Sequence, residues 1–396
     1  MQNRISSEAI ISKSYKKLTG FFLSGYFILK PFYIFRSGLP QLSDFFLAFL
    51  VLINFFNKNI ILKSISNNQE SRKVTIKLLF FVYYIFLINL IWTYITSTIM
   101  ILPSFWYLYN FFSFLVVISM FYIWGIELYN LLYKSITISV TIQFILSFFV
   151  ITTGARTTLF FNNPNQLGYF GLLSLSILVL VIPKIKVNLV SFFIGITFSV
   201  ALIIMSVSNA AIISGGLLII FFCLSSINHN KIPKKYGILI ILFIVFILLF
   251  YIINPTILFN IEIIEKINRR MVAAQALGME QIKYRRYDMI FNNIEYLFFG
   301  AGEGNTRSRF GYGEIHSTFG VILFSYGIIG LGTFLLIVQN IIRKQKLYDY
   351  YPIIFCLLYG LVHNGIRHTY LWMIFGIVLV NKVNFEKGVN RCVKDM

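Results

Sequence analysis

The chain has 396 residues, of which 58% are hydrophobic and 12% are charged, and its mean hydropathy is +0.79. A soluble globular protein of this length needs a more polar surface, so the composition excludes that class. A transmembrane β-barrel is disfavoured, because barrel strands alternate polar and apolar residues and this sequence has long apolar runs. The net charge of +20 is attributed to basic cytoplasmic loops, and no nucleic-acid partner is expected.

The N-terminus through Lys17 is basic and polar and lacks an apolar core with a cleavage signal, so no removed signal peptide is expected. Beyond it, apolar runs of about 20 residues, the length that crosses a bilayer, predict twelve transmembrane helices. The predicted ranges are 20–36, 42–57, 78–100, 105–124, 130–152, 165–183, 187–207, 209–227, 236–254, 318–340, 352–366 and 368–381. The fold class is therefore an all-α integral membrane protein, with residues 1–396 as one multi-pass domain. The last two runs are short, and one broken or re-entrant element is an alternative to two helices.

The positions of Lys and Arg orient these helices. With a cytoplasmic N-terminus, every short inner loop carries basic residues, including the solvated loop predicted at 62–77. The positive-inside rule therefore predicts cytoplasmic N- and C-termini. The hydrophilic segment 255–317 then forms one long extracytoplasmic loop with short amphipathic helices, and residues 152–170 lie on the same face.

Two arginines stand near the start of a helix-like pattern in the long loop. Residues 285–300, RRYDMIFNNIEYLFFG, place apolar side chains at helical spacing, which predicts an amphipathic helix against the membrane surface or the bundle. Arg285 and Arg286 near its N-terminus would favour an anion. Alternatively, both arginines only flank a surface helix or touch lipid headgroups. The glycines that follow lack the flanking features of a nucleotide-binding loop and predict a permissive turn.

One histidine lies where the long loop returns to the membrane. The His316 imidazole has the chemistry of a general base near neutral pH, and Glu314 is close enough in sequence to orient it. A polar anchor at the membrane interface is the alternative interpretation of a single histidine at this position.

Further polar residues are predicted on the same outer face. Arg156 stands at the membrane edge, where an arginine is costly and is usually paired or functional. Asn163 and Asn165 offer amide donors and acceptors, and a cap for the helix that Pro164 begins is the alternative. The stretch LVHNGIRHTYLW places four more polar residues at the outer ends of the last helices, where they could face one cavity. They are His363, Asn364, Arg367 and His368.

Several outward arginines around one outward histidine fit the transfer of a glycan from a lipid-linked diphosphate. The diphosphate gains negative charge as its bond to the sugar breaks, and arginines stabilise that charge. A neutral histidine takes the proton of the attacking sugar hydroxyl. Guanidinium groups can do this electrostatic work without a metal, and no metal or other cofactor is expected.

Three blocks of sequence resemble the bacterial O-antigen ligase and O-antigen polymerase superfamily. They are ARTTLFFNNPNQLGYFGLL at 155–173, RRYDMIFNNIEYLFFGAGEGN at 285–305 and EIHSTFGVILFSYGIIGLGTF at 314–334. The order of the blocks, the long outer loop and the approximate number of helices also match. The resemblance covers about 150–340, which is taken as the ligase- or polymerase-like core.

The resemblance implies a helical bundle in the bacterial inner membrane and an undecaprenyl-diphosphate-linked oligosaccharide as donor. It also implies metal-independent transfer with inversion at the sugar. Carried over by position, Arg156 and Arg286 bind the diphosphate, Arg285 competes with Arg286 for this role, and His316 is the base or positions the acceptor. The residues expected to support the site or bind glycan are Asn163, Asn165, Glu303, Arg307, Arg309, Glu314 and Arg367. Of these, Arg307 and Arg309 have no firm counterpart in the superfamily.

The favoured function is a membrane glycosyltransferase that polymerises lipid-linked repeat units into a surface polysaccharide, such as O-antigen, capsule or exopolysaccharide. A ligase that moves the glycan to lipid A core or another envelope acceptor would use the same donor site. A flippase or other transporter of lipid-linked oligosaccharide is the second alternative, although transporters place ionisable groups and broken helices near the bilayer midplane. Besides the donor, the expected partners are membrane lipid, a chain-length regulator and a flippase.

Overall fold

In a computed structural model of the chain, all regular secondary structure among the described residues is helical. These residues are 13–35, 39–66, 68–150, 156–228, 265, 267–269, 272, 280–311 and 313–394. Within these described ranges, five helical segments are long and apolar enough to cross a membrane, so the chain is a membrane protein. They are Gln69–Thr96, Leu102–Trp124, Pro164–Lys184, Asn209–Ser226 and Thr318–Ile342.

Among the described residues, nine helices precede the long loop, and six more lie within it or follow it. The first nine are α1 (Lys13–Leu29), α2 (Leu42–Phe56), α3 (Lys58–Ser66), α4 (Gln69–Thr96), α5 (Leu102–Trp124), α6 (Glu127–Leu146), α7 (Pro164–Val181), α8 (Leu189–Met205) and α9 (Asn209–Asn228). The others are α10 (Glu280–Tyr284), α11 (Asp288–Asn292), α12 (Thr306–Phe310), α13 (Thr318–Ile342), α14 (Leu347–Gly360) and α15 (Thr369–Lys394). Short 3-10 turns occupy Ile182–Lys184 and Ile294–Tyr296.

Helices occupy eleven of the twelve predicted segments, and the remaining one, 236–254, lies outside the described residues together with much of the long loop. The last two segments form separate helices, α14 and α15. The first helix ends at Leu29 and not at 36, because Pro31 has no N–H with which to continue the ladder. The loop predicted at 62–77 is wrong, since α3 ends and α4 begins within it; Asn68 accepts two backbone N–H groups and caps α4.

The core of the bundle is built around α7. Of its most apolar stretch, 89% is buried inside the protein, because α6, α8, α9, α14 and α15 all pack against it. Helix α15 also packs against α5 and α4. In turn, α5 packs against α2, and α4 packs against α13. A helix that is apolar all round and surrounded by other helices needs no lipid contact along most of its length.

One end of the bundle gathers the polar connections, and we call it the site end. Backbone hydrogen bonds join Tyr33 N–H to Phe160 O at 3.1 Å and Thr157 N–H to Met205 O at 3.3 Å. The Asn110 amide donates to Ile366 O at 3.3 Å. The segments that meet there are 30–35, 39–41, 97–101, 156–163, 206–208, 285–311, 313–317 and 361–368.

A break in α13 receives part of the long loop. Gly327 has φ 65° and ψ −170°, which interrupts the helical hydrogen-bond ladder. Residues 297–302, here called the strap, form hydrogen bonds with the backbone N–H and C=O groups that the break leaves unpaired within α13. Ala301 N–H donates to Phe324 O at 2.9 Å, Gly302 N–H to Ser325 O at 2.8 Å, and Ile328 N–H to Leu297 O at 2.8 Å. Because unpaired backbone groups are costly within a membrane, the break and the strap depend on each other.

Glycine is required on both sides of this contact. A Cβ atom on Gly327 would lie 2.1 Å from Phe298 O, and one on Gly300, whose φ is 94°, would lie 2.2 Å from Ser325 O. The strap is also tied to α4, since Trp92 Nε1 donates to Gly300 O and the Tyr84 hydroxyl donates to Phe299 O, both at 3.0 Å. The glycine-rich turn is therefore a backbone docking element.

Gly327→Ala tests this dependence. The substitution places a side chain in a backbone conformation that only glycine adopts readily and against a backbone oxygen, so we expect a loss of at least about 2 kcal/mol of stability. The measurement is the thermal unfolding midpoint of the purified protein in detergent. Gly332→Ala in the same helix is the matched control, because a Cβ there meets no atom within 4 Å. Equal midpoints for the two variants would contradict the proposed dependence of break and strap.

Candidate active site

Two cavities meet at His316 on the site end. The larger has a volume of about 530 Å³, within the range of small-molecule sites, and its wall includes Lys30, Asp44, Asn165, Arg367 and His368. The smaller has a volume of about 440 Å³ and is lined by Glu280, Lys283, Tyr284, Arg286 and His316. His316 lines both cavities, so its side chain can act on a molecule that extends from one into the other.

The backbone around His316 is fixed from two directions. Its N–H donates to Arg285 O at 3.1 Å, which joins it to the earlier part of the long loop. The next residue, Ser317, caps α13 by accepting Gly320 N–H at 3.2 Å and donates its hydroxyl to Gly360 O. The exposed imidazole is therefore presented from a rigid position.

The surroundings of His316 favour the neutral imidazole. Although the side chain is exposed, the protein atoms around it partly desolvate the charged form and lower the pKa of His316 below its usual 6.5, and the guanidinium groups of Arg285 and Arg286 lower it further. The Glu314 carboxylate acts in the opposite direction. Since the net shift is downward, the neutral form that accepts a proton predominates at neutral pH.

The two adjacent arginines have different positions. Arg286 lines the smaller cavity beside His316, at a turn where its own φ is 65°. The Arg285 guanidinium donates to Val362 O and so joins the long loop to the segment between α14 and α15. The geometry favours Arg286 over Arg285 as the group that faces a ligand in the smaller cavity.

The continuous amphipathic helix predicted for 285–300 is wrong. The structure has the short helix α11, then a 3-10 turn, and then the strap, whose residues 297–299 form a further turn. Asn293, with φ −137° and ψ 60°, ends α11, and the hydrogen bonds between the strap and α13 replace those of a helix. Tertiary hydrogen bonding thus overrides the helical period of the apolar residues.

Arg156 reaches the larger cavity through Asn165. The Arg156 guanidinium donates to Asn165 Oδ1 at 2.6 Å and to Ser206 O at 3.0 Å. Asn165 O in turn accepts the Tyr359 hydroxyl at 3.0 Å. Asn163 lines the same cavity and also caps α7 by accepting Gln166 N–H, as the alternative interpretation of this residue holds.

Arg367 is held between two carboxylates, in a group that we call the clasp: Arg367, Glu303 and Glu314. Arg367 Nε lies 2.9 Å from Glu303 Oε1, and its Nη2 lies 3.1 Å from Glu314 Oε1. Glu303 is only 2% exposed and also accepts the Tyr326 hydroxyl at 2.6 Å. Glu303, which was expected to support the site or bind glycan, is thus buried and pairs with Arg367 in the wall of the larger cavity.

The remaining two arginines lie on the far side of the strap. The Arg309 guanidinium lies 4.5 Å from the centre of the Trp92 ring and donates to Ala301 O. Arg307 is exposed on α12. The described walls of the two cavities do not include either residue.

The structure adds cavity residues that the sequence reasoning missed. Lys30 and Asp44 form a buried ion pair at 3.0 Å, with side chains 7% and 8% exposed. The signal was Lys30 itself, since a lysine that interrupts an apolar run needs a partner. Trp106 and Tyr169 also line the larger cavity, and no sequence pattern distinguishes them from the other aromatic residues.

Comparisons with known proteins do not identify a family. No protein-family model matches the chain, and no curated protein matches it. Within the described residues, no group of three or more His, Cys, Asp or Glu side chains is placed to hold a metal ion. The function is therefore argued from the site.

The clasp predicts unequal effects for its two carboxylates. Glu303→Gln removes the charge of a carboxylate that is 3% exposed and leaves the Arg367 guanidinium, which is 31% exposed, with only Glu314 as its ionic partner in the clasp; we expect a loss of about 2 kcal/mol of stability. Glu314→Gln is the matched control, because it faces the same guanidinium but is 48% exposed, and we expect a change below about 1 kcal/mol. Unfolding midpoints in detergent measure both. A larger loss for Glu314→Gln would show that Glu303 is not the structural partner.

Proposed function

We propose that the protein is a membrane glycosyltransferase that polymerises oligosaccharide repeat units carried on a polyprenyl diphosphate. The observation that carries the proposal is the position of His316 at the junction of two cavities, one of which contains Arg286. A group transfer between two bound molecules needs such a junction, because donor and acceptor must meet at the catalytic residue. The resemblance of three sequence blocks to the O-antigen ligase and polymerase superfamily supports the same reaction.

The proposed reaction is a single displacement at the donor sugar. The neutral His316 imidazole takes the proton of an acceptor hydroxyl, whose oxygen forms the new bond to the anomeric carbon. The bond between that carbon and the diphosphate breaks, and the electron pair leaves with the diphosphate. Arg286, which lines the smaller cavity, stabilises the resulting negative charge. Arg156 holds Asn165 in the wall of the larger cavity. Attack opposite the leaving group inverts the sugar configuration.

We assign the site end to the extracytoplasmic face of the bacterial inner membrane. The connections at the other end of the bundle contain Lys63, Arg72, Lys184, Arg343 and Lys344, among other basic residues. The positive-inside rule places such connections in the cytoplasm. Twelve spans, with both termini cytoplasmic, and the long loop outside belong to this same proposal.

The polar cavity at one end of the bundle favours an enzyme over a flippase or other transporter. A transporter holds its cargo near the middle of the bilayer, often between broken helices. Here the larger cavity lies at the helix ends, between the last turn of α1 and the first turns of α2, α5 and α7. The same donor site would serve a ligase, which differs from a polymerase in its acceptor.

The decisive experiment is transfer by the purified protein. The donor is lipid-linked oligosaccharide extracted from source cells in which this chain has been deleted, supplied as the only substrate in detergent. We expect the wild type to form a ladder of polymer. We expect His316→Ala to reduce the rate about 10²- to 10⁴-fold, the usual contribution of a general base. Arg286→Ala should reduce it about 10²-fold or more, and Arg156→Ala should also reduce it.

Arg307→Ala serves as the matched control, because it removes an exposed arginine of the same loop outside both cavities. Consumption of donor only after an envelope acceptor is added would replace the polymerase by a ligase. Movement of donor across vesicles without any consumption would replace the enzyme by a transporter. Full activity of His316→Ala would remove the histidine from the mechanism.

The pH dependence of the rate tests the role of His316 separately. A general base works in its neutral form, so the rate falls as pH decreases through its pKa. Because burial, Arg285 and Arg286 lower that pKa, we expect the midpoint of the acid limb below 6.5. Glu314→Gln removes the charge that raises the pKa and should move the midpoint to still lower pH. If Glu314→Gln leaves the midpoint of the acid limb unchanged, the titration of His316 is not the cause of that limb.

A further inference from the structure

Two side chains in the wall of the larger cavity, Tyr169 and His368, carry buried polar atoms that have no hydrogen-bond partner within the described part of the chain. Among the described residues, no hydrogen-bond partner is found for either ring nitrogen of His368 or for the Tyr169 hydroxyl. The Tyr169 and His368 rings face each other edge to face at 5.4 Å. Leaving such groups unpaired in the interior costs about 1 to 3 kcal/mol each, so three neighbouring cases need an explanation.

Packing gives no reason for these polar atoms. Tyr169 is 4% exposed and stacks on Tyr359 at 4.3 Å, a contact that phenylalanine would make equally well. His368 lies between the rings of Tyr169 and Tyr370, where an apolar ring would also fit the surroundings. The hydroxyl and the imidazole are therefore better explained by a molecule that enters the cavity than by the fold.

The charge in this region selects a neutral molecule. Lys30 is balanced by Asp44 at 3.0 Å, and the Asp44 oxygens are also occupied by Gln41 N–H and the Tyr109 hydroxyl. Burial and the nearby Lys30 ammonium lower the pKa of His368 and hold its ring neutral. A neutral imidazole and a phenol each offer one donor and at least one acceptor, which matches hydroxyl groups.

The position of Tyr169 and His368 relative to His316 indicates that the molecule they bind is the acceptor. Asn165 and Tyr169 are four residues apart on α7, so Tyr169 lies about 6 Å deeper along the helix. Arg286 is in the smaller cavity on the other side of His316. In an inverting displacement the acceptor approaches from the side opposite the leaving diphosphate, which here is the side of the larger cavity.

We propose that Tyr169 and His368 form a neutral subsite that binds hydroxyl groups of the acceptor sugar of the repeat unit. This inference rests on the proposed function. Trp106, in the wall of the same cavity, adds an aromatic surface for the apolar face of a sugar ring. The two residues bind the acceptor and leave the proton transfer to His316.

The test separates acceptor binding from chemistry. Oligosaccharide released from the lipid by mild acid has lost its diphosphate, so it can accept but cannot donate. With saturating donor and varied released oligosaccharide, we expect Tyr169→Phe and His368→Phe each to raise the acceptor KM about five- to tenfold, the effect of one lost hydrogen bond. The donor KM and kcat should stay within about twofold.

Tyr351→Phe is the matched control. It removes another buried hydroxyl without a partner among the described residues. Tyr351 on α14 packs against Phe221 of α9 and Phe355 of α14, and the described wall of the cavity does not include it. We expect its acceptor KM to equal that of the wild type. An unchanged acceptor KM in Tyr169→Phe and His368→Phe, with polymerisation intact, would overturn the subsite and leave the proposed function standing.

A binding measurement keeps the subsite testable if no transfer is found. In His316→Ala protein, which cannot turn over, released oligosaccharide should raise the unfolding temperature in detergent. Adding Tyr169→Phe should weaken that binding about five- to tenfold, whereas adding Tyr351→Phe should not. Binding that Tyr169→Phe leaves unchanged, or no binding at all, would overturn the subsite. Absence of transfer by the wild type under every acceptor would overturn the proposed function instead.

Discussion

The backbone hydrogen bonds between the strap and the break in α13 are the constraint on which the site depends. A membrane helix can be broken only where other groups replace its lost hydrogen bonds, and here residues 297–302 do so. His316 immediately precedes the cap of α13, and Glu303 immediately follows the strap. The main chain therefore sets the positions of the histidine at the cavity and of the carboxylate behind it.

The cavity combines high polarity with local neutrality. Lys30 is paired with Asp44, and Arg367 lies between Glu303 and Glu314. Removing one member of a buried ion pair costs far more stability than the intact pair contributes. Such pairs therefore hold their geometry firmly. The pairing makes the walls rigid without adding the strong field that would exclude neutral ligands.

The sequence predicted the helices well, because each needs about 20 apolar residues and that requirement is local. The sequence also predicted that His316, Arg286 and Asn165 share one face of the bundle, and the structure places all three in cavity walls. The helical period of the apolar residues at 285–300 led to the wrong prediction of a continuous helix. The strap instead forms hydrogen bonds with α13, which comes later in the chain.

Partnerships between distant residues were beyond local reasoning. Glu303 was expected to support the site or bind glycan, and its burial depends on Tyr326 and on Arg367, which is 64 residues away. Tyr169 and His368 meet only because α7 and the segment before α15 reach the same end of the bundle. A single sequence records neither contact, since only the packed fold brings these residues together.

The contact between the strap and α4 has a consequence for biosynthesis. Gly300, whose carbonyl accepts the Trp92 indole N–H, is made 208 residues after Trp92. At ribosomal speeds of about 5 to 20 residues per second, that delay is roughly 10 to 40 s. During this delay, the Trp92 indole and the Asn89 amide must form hydrogen bonds with water or lipid headgroups. Asn89 accepts Glu303 N–H only later. Most of the helices are thus already synthesised when this end of the bundle closes, and assembly of the site is a late step in the maturation of the nascent chain.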